Sequence, residues 1–188
     1  VSLANGYQVP CNGSFGEAYA YATGGSGTYT YSWSHGVLGD STGLVVAGDY
    51  VVTATDANGC VARDTVQMTQ PNSLEVGHTI LSSQNGFGVS CYGDADGEIA
   101  TVVTGGVGPF SYSWSNGGTN DTLSGLAAGS YSLTVTDANG CTKTKVIQIT
   151  QPSQLTASAS TTSNFNGFGV SCFGSANGSV NVIASGGV

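Results

Sequence analysis

The sequence repeats itself with a spacing of 81 residues. Trp33 recurs as Trp114, and Cys60 recurs as Cys141. Each of these two cysteines ends the same run, Asp-Ala-Asn-Gly-Cys. A long fixed period indicates an array of equivalent structural units. Fold and function must therefore be explained for the repeating unit before any single site is considered.

The phase of the repeat divides the chain into three parts, named here repeats 1, 2 and 3. We predict that residues 1–70 belong to repeat 1, which is truncated at its N-terminus. Residues 71–151 form the complete repeat 2, and residues 152–188 are the start of repeat 3. Gln-Pro follows the last apolar stretch of repeats 1 and 2 directly, with no Gly/Ser spacer. Because proline fixes φ, we expect successive repeats to form a semi-rigid rod that belongs to a longer array.

The composition restricts the classes of partner. Only 7% of the residues are charged, the net charge is −8, and the basic residues are Arg63, Lys143 and Lys145. A nucleic-acid surface needs clustered cations and is excluded, and docking on anionic lipid is disfavoured. All three cations fall in the predicted last strand of a repeat. They either protect a sheet edge from unwanted strand addition or contact an acidic patch of a neighbouring chain.

Apolar and polar residues alternate with a period of two in many short runs, and no run has helical periodicity. In repeat 2, Ile99, Thr101 and Val103 fall on one side of such a run. Turn residues separate the runs every 8–12 residues, and Asn139-Gly140 predicts a two-residue hairpin loop. This pattern predicts an all-β fold, with each repeat an antiparallel β-sandwich of the immunoglobulin type.

Two aromatic positions support the immunoglobulin-like prediction. Trp33 and Trp114 lie on the third main strand of their repeats, where immunoglobulin-like domains bury a tryptophan. We predict that both are buried in the core. Tyr131 follows Gly129 and is similar to the corner tyrosine that precedes the sixth strand of such domains.

The cysteines predict covalent cross-links. Repeats 1 and 2 carry two each, Cys11 with Cys60 and Cys91 with Cys141, and Cys172 begins a third pair. We predict disulfides within each repeat, with Cys172 bonded to a residue outside the sequence. Each would close a loop of about 50 residues and stabilise the fold by roughly 4 kcal/mol. Disulfides imply an oxidising, extracellular compartment, whereas the alternative is reduced, buried thiols.

Four segments together resemble the SprB-type repeat of very large surface adhesins of Bacteroidetes. These segments are Gly106–Gly117, Gly125–Tyr131, Asp137–Cys141 and Val170–Gly174. The resemblance implies tandem immunoglobulin-like or PKD-like sandwiches and export by the type IX secretion system. It also implies a place in cell-surface filaments that serve gliding, attachment or prey capture.

One loop is a candidate metal site. Asp94, Asp96 and Glu98 place three carboxylates within five residues, and Ca²⁺ prefers such oxygen ligands. The equivalent part of repeat 3 carries Ser175 and Asn177 instead, although a metal common to every repeat would keep its ligands. The alternative is that these side chains cap the loop as Asx turns. No other cofactor is expected.

The strand phase also predicts a contact surface. Ile99 is predicted to face inward. The same register in repeat 3 places Val180, Val182 and Ala184 inward. In repeat 1 it places Ala18, Ala20 and Ala22 inward. Tyr19 and Tyr21 then face outward, and Val102 and Ile183 share the outward register. Adjacent exposed tyrosines indicate a contact surface. We expect this face to pack against a neighbouring copy in a multi-chain filament, unless repeat 1 is repacked with its tyrosines inward.

No catalytic arrangement is visible in the sequence, because His35 and His78 occupy non-equivalent positions and lie far from any recurring Ser, Cys or Asp. We therefore predict a non-enzymatic segment of an extracellular surface filament or adhesin. Its partners would be other copies of itself, and surface glycans or another cell. The alternative is a carbohydrate-binding array that recognises polysaccharide through exposed aromatic side chains.

Overall fold

The computed structural model describes residues 7–83 and 85–188, and these residues contain β-strands and turns with no helix. The all-β prediction is confirmed. The strands are β1 (Thr30–Trp33), β2 (Gly48–Thr55), β3 (Val61–Met68), β4 (Glu75–Ile80), β5 (Gly97–Thr104), β6 (Ser111–Trp114), β7 (Thr122–Leu126), β8 (Gly129–Thr136), β9 (Thr142–Ile149), β10 (Ser153–Thr161) and β11 (Val180–Gly187).

Backbone contacts group the described residues into two compact units. The first contains 7–77, 101–121 and 132–145, and the second contains 78–83, 85–100, 122–131 and 146–188. This grouping does not test the repeat boundaries after residues 70 and 151, which stay a prediction.

The first unit contains an antiparallel sheet with the order β1-β2-β3. Its pairing places Trp33 opposite Val52 and continues from β2 to β3 without a shift in register. The buried cluster of this part of the chain is formed by Val9, Ala18, Val45 and Met68. Ala18 is therefore inward, as its register predicts.

Strands β4 to β9 form two further sheets, with the orders β4-β5-β7 and β6-β8-β9. Counted along the chain, the first, second and fourth strands share one sheet, and the third, fifth and sixth share the other. Immunoglobulin-like sandwiches divide their A, B and E strands from their C, F and G strands in the same way. The immunoglobulin-like prediction is therefore confirmed by the strand order itself.

Each of these two sheets buries one face. Ile99 on β5 and Leu126 on β7 are buried, as are Leu133 on β8 and Ile147 on β9. The burial of alternate residues follows the period-two apolar pattern, because successive side chains of a strand point to opposite faces. The apolar alternation in the sequence therefore identified the core.

Both tryptophans are buried, at 4% exposure each, which confirms the prediction. The indole nitrogen of Trp33 donates to the carbonyl of Gly39 at 3.1 Å, and that of Trp114 donates to the carbonyl of Asn120 at 2.9 Å. The polar atom of each buried ring is thus satisfied in the same way, so the rings occupy the core without an unpaired donor.

The corner tyrosine is also confirmed. The hydroxyl of Tyr131 donates to the carbonyl of Ala127 at 2.9 Å, and the equivalent Tyr50 donates to the carbonyl of Val46 at 3.1 Å. This bond ties the start of β8, and of β2 in repeat 1, to the backbone a few residues upstream.

The predicted two-residue hairpin at Asn139-Gly140 is wrong. The loop between β8 and β9 extends over Asp137–Cys141, and Gly140 N donates to the carbonyl of Asp137 at 3.0 Å, as Gly59 N does to Asp56 in the equivalent loop. Gly59 has a φ of 86° and Gly140 a φ of 83°, whereas neither preceding asparagine is among the described residues with positive φ. The loop is longer because the aspartate carboxylate, and not Asn-Gly alone, closes it.

The inward assignment in repeat 3 stays a prediction. Strands β10 and β11 pair only with each other among the described residues. Val180 and Val182 are exposed at 65% and 64%, and Ile183 on the opposite face is exposed at 60%. Alternation selects an inward face only where a second layer covers it, and no described layer covers either face of this pair.

We expect Trp114→Ala to destabilise the fold by about 3–5 kcal/mol, because it leaves a large cavity and orphans the carbonyl of Asn120. Tyr21→Ala is the matched control, since Tyr21 is 90% exposed and should tolerate truncation. Urea unfolding followed by circular dichroism measures both. Equal stability of the two variants would contradict the core assignment of Trp114.

Candidate functional site

The disulfide of the described chain joins Cys11 to Cys141, whose Cα atoms are 5.7 Å apart. The predicted pairs Cys11–Cys60 and Cys91–Cys141 are therefore wrong. Cys60 and Cys141 are equivalent by the repeat, so spacing alone cannot distinguish a bond within one repeat from a bond to the next. The actual bond connects predicted repeat 1 to predicted repeat 2.

The thiols of Cys60, Cys91 and Cys172 are free and exposed in the structure. The structure does not place any of them in a pair among residues 7–83 and 85–188. The bond predicted from Cys172 to a residue outside the sequence stays a prediction.

Side chains beside the disulfide hold the same junction. Asn139 Nδ2 donates to the carbonyl of Pro10 at 2.7 Å. Asn12 Nδ2 donates to the carbonyl of Pro71 at 3.1 Å, and Gln70 Oε1 accepts from the amide of Gly13 at 2.8 Å. The Gln-Pro junction is therefore fixed to the loop that carries Cys11, and the cross-link is not an isolated bond.

A carboxylate positions the cysteine of each Asp-Ala-Asn-Gly-Cys turn. Asp137 is buried, and its Oδ1 accepts from the amides of Asn139 and Cys141, both at 2.9 Å. Its Oδ2 accepts from the amide of Val107 at 3.0 Å. One side chain thus closes the β8–β9 turn and attaches it to the segment before β6.

Asp56 repeats this arrangement. Its Oδ1 accepts from the amides of Asn58 at 2.9 Å and Cys60 at 2.8 Å, and its Oδ2 accepts from the amide of Ser26 at 3.0 Å. The amide of Cys60, followed by that of Ser26, holds the pKa of Asp56 below its usual range. The sequence analysis predicted a hairpin here and assigned no role to Asp56. The recurrence of this aspartate as Asp137 was the signal that could have identified it.

A glycine next to each of these aspartates leaves room for the carboxylate to reach its amides. Gly106 has a φ of 60°, and a Cβ there would lie 2.9 Å from Leu74 Cδ1 and 3.1 Å from Asp137 Oδ2. The equivalent Gly25 has a φ of 64°, and its Cβ would lie 2.8 Å from Asp56 Oδ2. A side chain at either position would be strained and would push the carboxylate away from its amides.

The candidate calcium loop serves a structural purpose. Ser90 donates its amide to Asp96 Oδ1 at 3.1 Å and its hydroxyl to Asp94 Oδ2 at 2.9 Å. In repeat 3, Asn177 Oδ1 accepts the equivalent bond from the amide of Ser171 at 3.1 Å. The described residues contain no group of three His, Cys, Asp or Glu side chains placed to hold a metal ion, and Glu98 joins no such group. Loop capping, the alternative interpretation, accounts for the side chains of Asp94 and Asp96.

The basic residues lie on edge strands. Arg63 is on β3 and Lys143 and Lys145 are on β9, each the last strand in the order of its sheet. Lys143 Nζ lies 3.0 Å from Glu75 Oε2 and lowers the pKa of that carboxyl. Because both side chains are about half exposed, the pair contributes little stability. Edge protection explains these positions, and a contact with another chain stays a prediction.

The predicted contact surface is open to solvent. Tyr19 is exposed at 60% and Tyr21 at 90%, so the tyrosines are not repacked into the core. Val102 and Ile183 are exposed as well. In the first unit, a shallow groove is lined by Tyr19, Ala20, Tyr21, Trp33, Val52, Asp64, Thr65 and Val66. Tyr19, Tyr21 and Val102 face outward as predicted. The outward register of Ile183 and the role of this face in an interface stay predictions.

One comparison, with protein-family models, agrees with the sequence resemblance. Residues 89–119 match the family model described as SprB repeat, which confirms the resemblance for this part of predicted repeat 2. Among solved structures, the chain is similar to the one titled "Structure of amphioxus IgVJ-C2 molecule", at 13% identity and a TM-score of 0.35, over 75% of this chain and 98% of that chain. No curated protein matches the chain.

In the part of the chain that the structure describes, there is no helix with the length and apolar character needed to cross a membrane.

We expect the acid stability of the fold to depend on Asp56. Its pKa is lowered in the folded state, so its stabilising contribution is present above the unfolded pKa of about 3.9 and is lost as the pH falls through the folded pKa. Asp56→Asn should therefore show a weaker fall in stability below about pH 4 than the unsubstituted chain. Asp49→Asn, on the exposed face of β2, is the control. Thermal melting across this pH range measures all three, and identical pH profiles would contradict the role of Asp56.

Proposed function

We propose that this chain is a structural segment of a long extracellular adhesin or filament at the cell surface, and that it performs no catalysis. The match of residues 89–119 to the SprB repeat and the immunoglobulin-like strand order support this function. The recurring polar groups described above cap loops and close turns, so their chemistry is used to hold the repeats in shape. Attachment, gliding or prey capture are the roles that the family resemblance favours.

The observation that carries the proposal is the disulfide between predicted repeats 1 and 2. It closes a loop of chain with a sequence separation of 130 residues. When tension is applied outside this loop, the force passes through the sulfur–sulfur bond and bypasses the core strands of repeat 2 in the loop. A surface filament must carry such tension, and a cross-link that spans two predicted repeats would let it do so without unfolding them.

We expect single-molecule stretching to reveal this load path. With the disulfide intact, the loop between Cys11 and Cys141 should not extend. Reduction should add about 430–470 Å of contour length, because the separation is 130 residues and an extended residue spans about 3.3–3.6 Å.

Two substitutions make the stretching experiment specific. Cys11→Ser should extend like the reduced chain, and Cys60→Ser should extend like the oxidised chain because Cys60 is a free thiol. If the oxidised, unsubstituted chain released the full contour length, the proposed path of the force through the disulfide would be wrong.

We further propose that other copies of the chain are its partners, through the exposed tyrosine face. Exposed aromatic side chains that recur on a rod add weak contacts into avidity. Because Tyr19 and Tyr21 are exposed, Tyr19→Ser with Tyr21→Ser should weaken self-association while leaving the melting temperature nearly unchanged. Sedimentation velocity measures the association. Leu44→Ser, which removes another exposed apolar side chain, is the control.

The groove beside these tyrosines favours a second candidate function, the binding of polysaccharide. Tyr19 and Tyr21 line it together with Asp64, and a sugar site combines such aromatic faces with polar groups. Affinity electrophoresis in a polysaccharide gel distinguishes the two functions. Retardation that the double tyrosine substitution abolishes would favour the glycan function, and self-association without retardation would favour the filament.

A further inference from the structure

Asn-Gly pairs recur along the sequence, and two of them adjoin the disulfide. Asn12-Gly13 directly follows Cys11, and Asn139-Gly140 directly precedes Cys141. We propose that both pairs are sites of succinimide formation and deamidation, and that the hydrogen bonds of this junction hold them unreactive. The inference goes beyond the proposed function, because it requires neither a load on the chain nor any partner of it.

The chemistry needs only the chain and water. The backbone nitrogen of the glycine loses its proton to solvent and attacks Cγ of the asparagine, and the new nitrogen–carbon bond closes the succinimide ring. The side-chain nitrogen Nδ2 takes up a proton and leaves as ammonia. Water then opens the ring at either carbonyl, and aspartate or isoaspartate replaces asparagine. Glycine favours the attack because it has no Cβ to obstruct the approach of its nitrogen to Cγ.

At Asn12-Gly13 both nitrogens of this reaction are engaged. The attacking nitrogen, Gly13 N, donates to Gln70 Oε1 at 2.8 Å. The leaving nitrogen, Asn12 Nδ2, donates to the carbonyl of Pro71 at 3.1 Å. The glycine amide and the asparagine side chain must leave these partners before Gly13 N can reach Cγ. Asn12 and Gly13 are both exposed to solvent, so these hydrogen bonds, and not burial, protect the pair.

At Asn139-Gly140 the same two nitrogens are engaged. Gly140 N donates to the carbonyl of Asp137 at 3.0 Å, and this bond belongs to the turn itself. Asn139 Nδ2 donates to the carbonyl of Pro10 at 2.7 Å. This second bond crosses to the residue before Cys11, so it depends on contact between the two loops that the disulfide joins. The disulfide therefore protects this asparagine as well as holding the loops together.

Deamidation at either site would weaken the contacts that had prevented it. Aspartate at position 12 or 139 would place a carboxylate oxygen against a backbone carbonyl, where the amide nitrogen had supplied a donor. Two acceptors that face each other without a proton make no hydrogen bond, and each loses its partner. Asn139→Asp should therefore make Cys11–Cys141 easier to reduce with glutathione than Asn116→Asp does, because Asn116 lies outside these loops.

Removal of one acceptor tests the protection of Asn12. Gln70→Ala takes away the partner of Gly13 N and should speed the deamidation of Asn12 about fivefold, which corresponds to a net hydrogen bond of about 1 kcal/mol. Gln151→Ala is the matched control, because Gln151 Oε1 accepts the equivalent bond from Gly93 N at 3.0 Å and no asparagine precedes Gly93. This control should leave the rate at Asn12 unchanged.

Loss of the disulfide tests the protection of Asn139. Cys11→Ser should speed the deamidation of Asn139 by a similar factor, because it releases the loop that supplies the carbonyl acceptor. Asn116-Gly117 is the internal control in every sample, since Gly117 N donates at 2.9 Å to a carbonyl of its own turn. The rate at Asn116 should be the same in all of these variants.

Each full-length chain is incubated folded in a mildly alkaline buffer, and a sample unfolded in urea gives the unprotected rate at each site. Peptide mass spectrometry quantifies the conversion of amide to acid, and protein isoaspartate methyltransferase detects isoaspartate. We expect Asn12 and Asn139 of the oxidised, folded chain to react at least about tenfold more slowly than in urea, because two hydrogen bonds protect each pair.

Three results would overturn the proposal. The first is equal reaction of Asn12 in Gln70→Ala and Gln151→Ala, both shown to be folded by circular dichroism. The second is an unchanged rate at Asn139 in Cys11→Ser. The third is deamidation of both asparagines in the oxidised, folded chain as fast as in the unfolded chain.

Discussion

One carboxylate in each repeat fixes the features on which the rest of the structure depends. Asp137 accepts two amides from its own turn and a third from the segment before β6. A carboxylate can do this because it offers only acceptor sites and enough of them for several donors. The turn between two strands, the approach to a third strand and the direction of the cysteine therefore follow from a single side chain. Asp56 does the same in repeat 1.

The position of that cysteine determines how the repeats are joined. A unit of this size buries a modest core, so a large share of its stability must come from covalent or junction contacts. The Cys11–Cys141 disulfide supplies such a contact between predicted repeats 1 and 2. Bonds from Asn12 and Gln70 hold the Gln-Pro junction to the same loop. The disulfide and these hydrogen bonds thus hold the same junction.

The sequence predicted the local features of the sandwich well. Period-two alternation identified Ile99 as a core residue, and the position of Trp114 in the repeat identified it as buried. These predictions succeed because alternation is a local property of a strand. Alternation alone does not decide the inward face of β11, because it cannot indicate whether a second layer covers that face. The interpretation of Asn139-Gly140 failed for a related reason, since the partners of the preceding aspartate include an amide from a distant segment.

The sequence by itself determined the all-β class, the repeating unit, the buried tryptophans and the edge positions of the positive charges. Each of these follows from the order and spacing of residue types along the chain. Only the tertiary structure decided which cysteines are bonded and how the carboxylates of Asp94 and Asp96 are used. A periodic sequence repeats every candidate partner at the same spacing, so the choice between a bond within a repeat and a bond to the next depends on which loops meet in space.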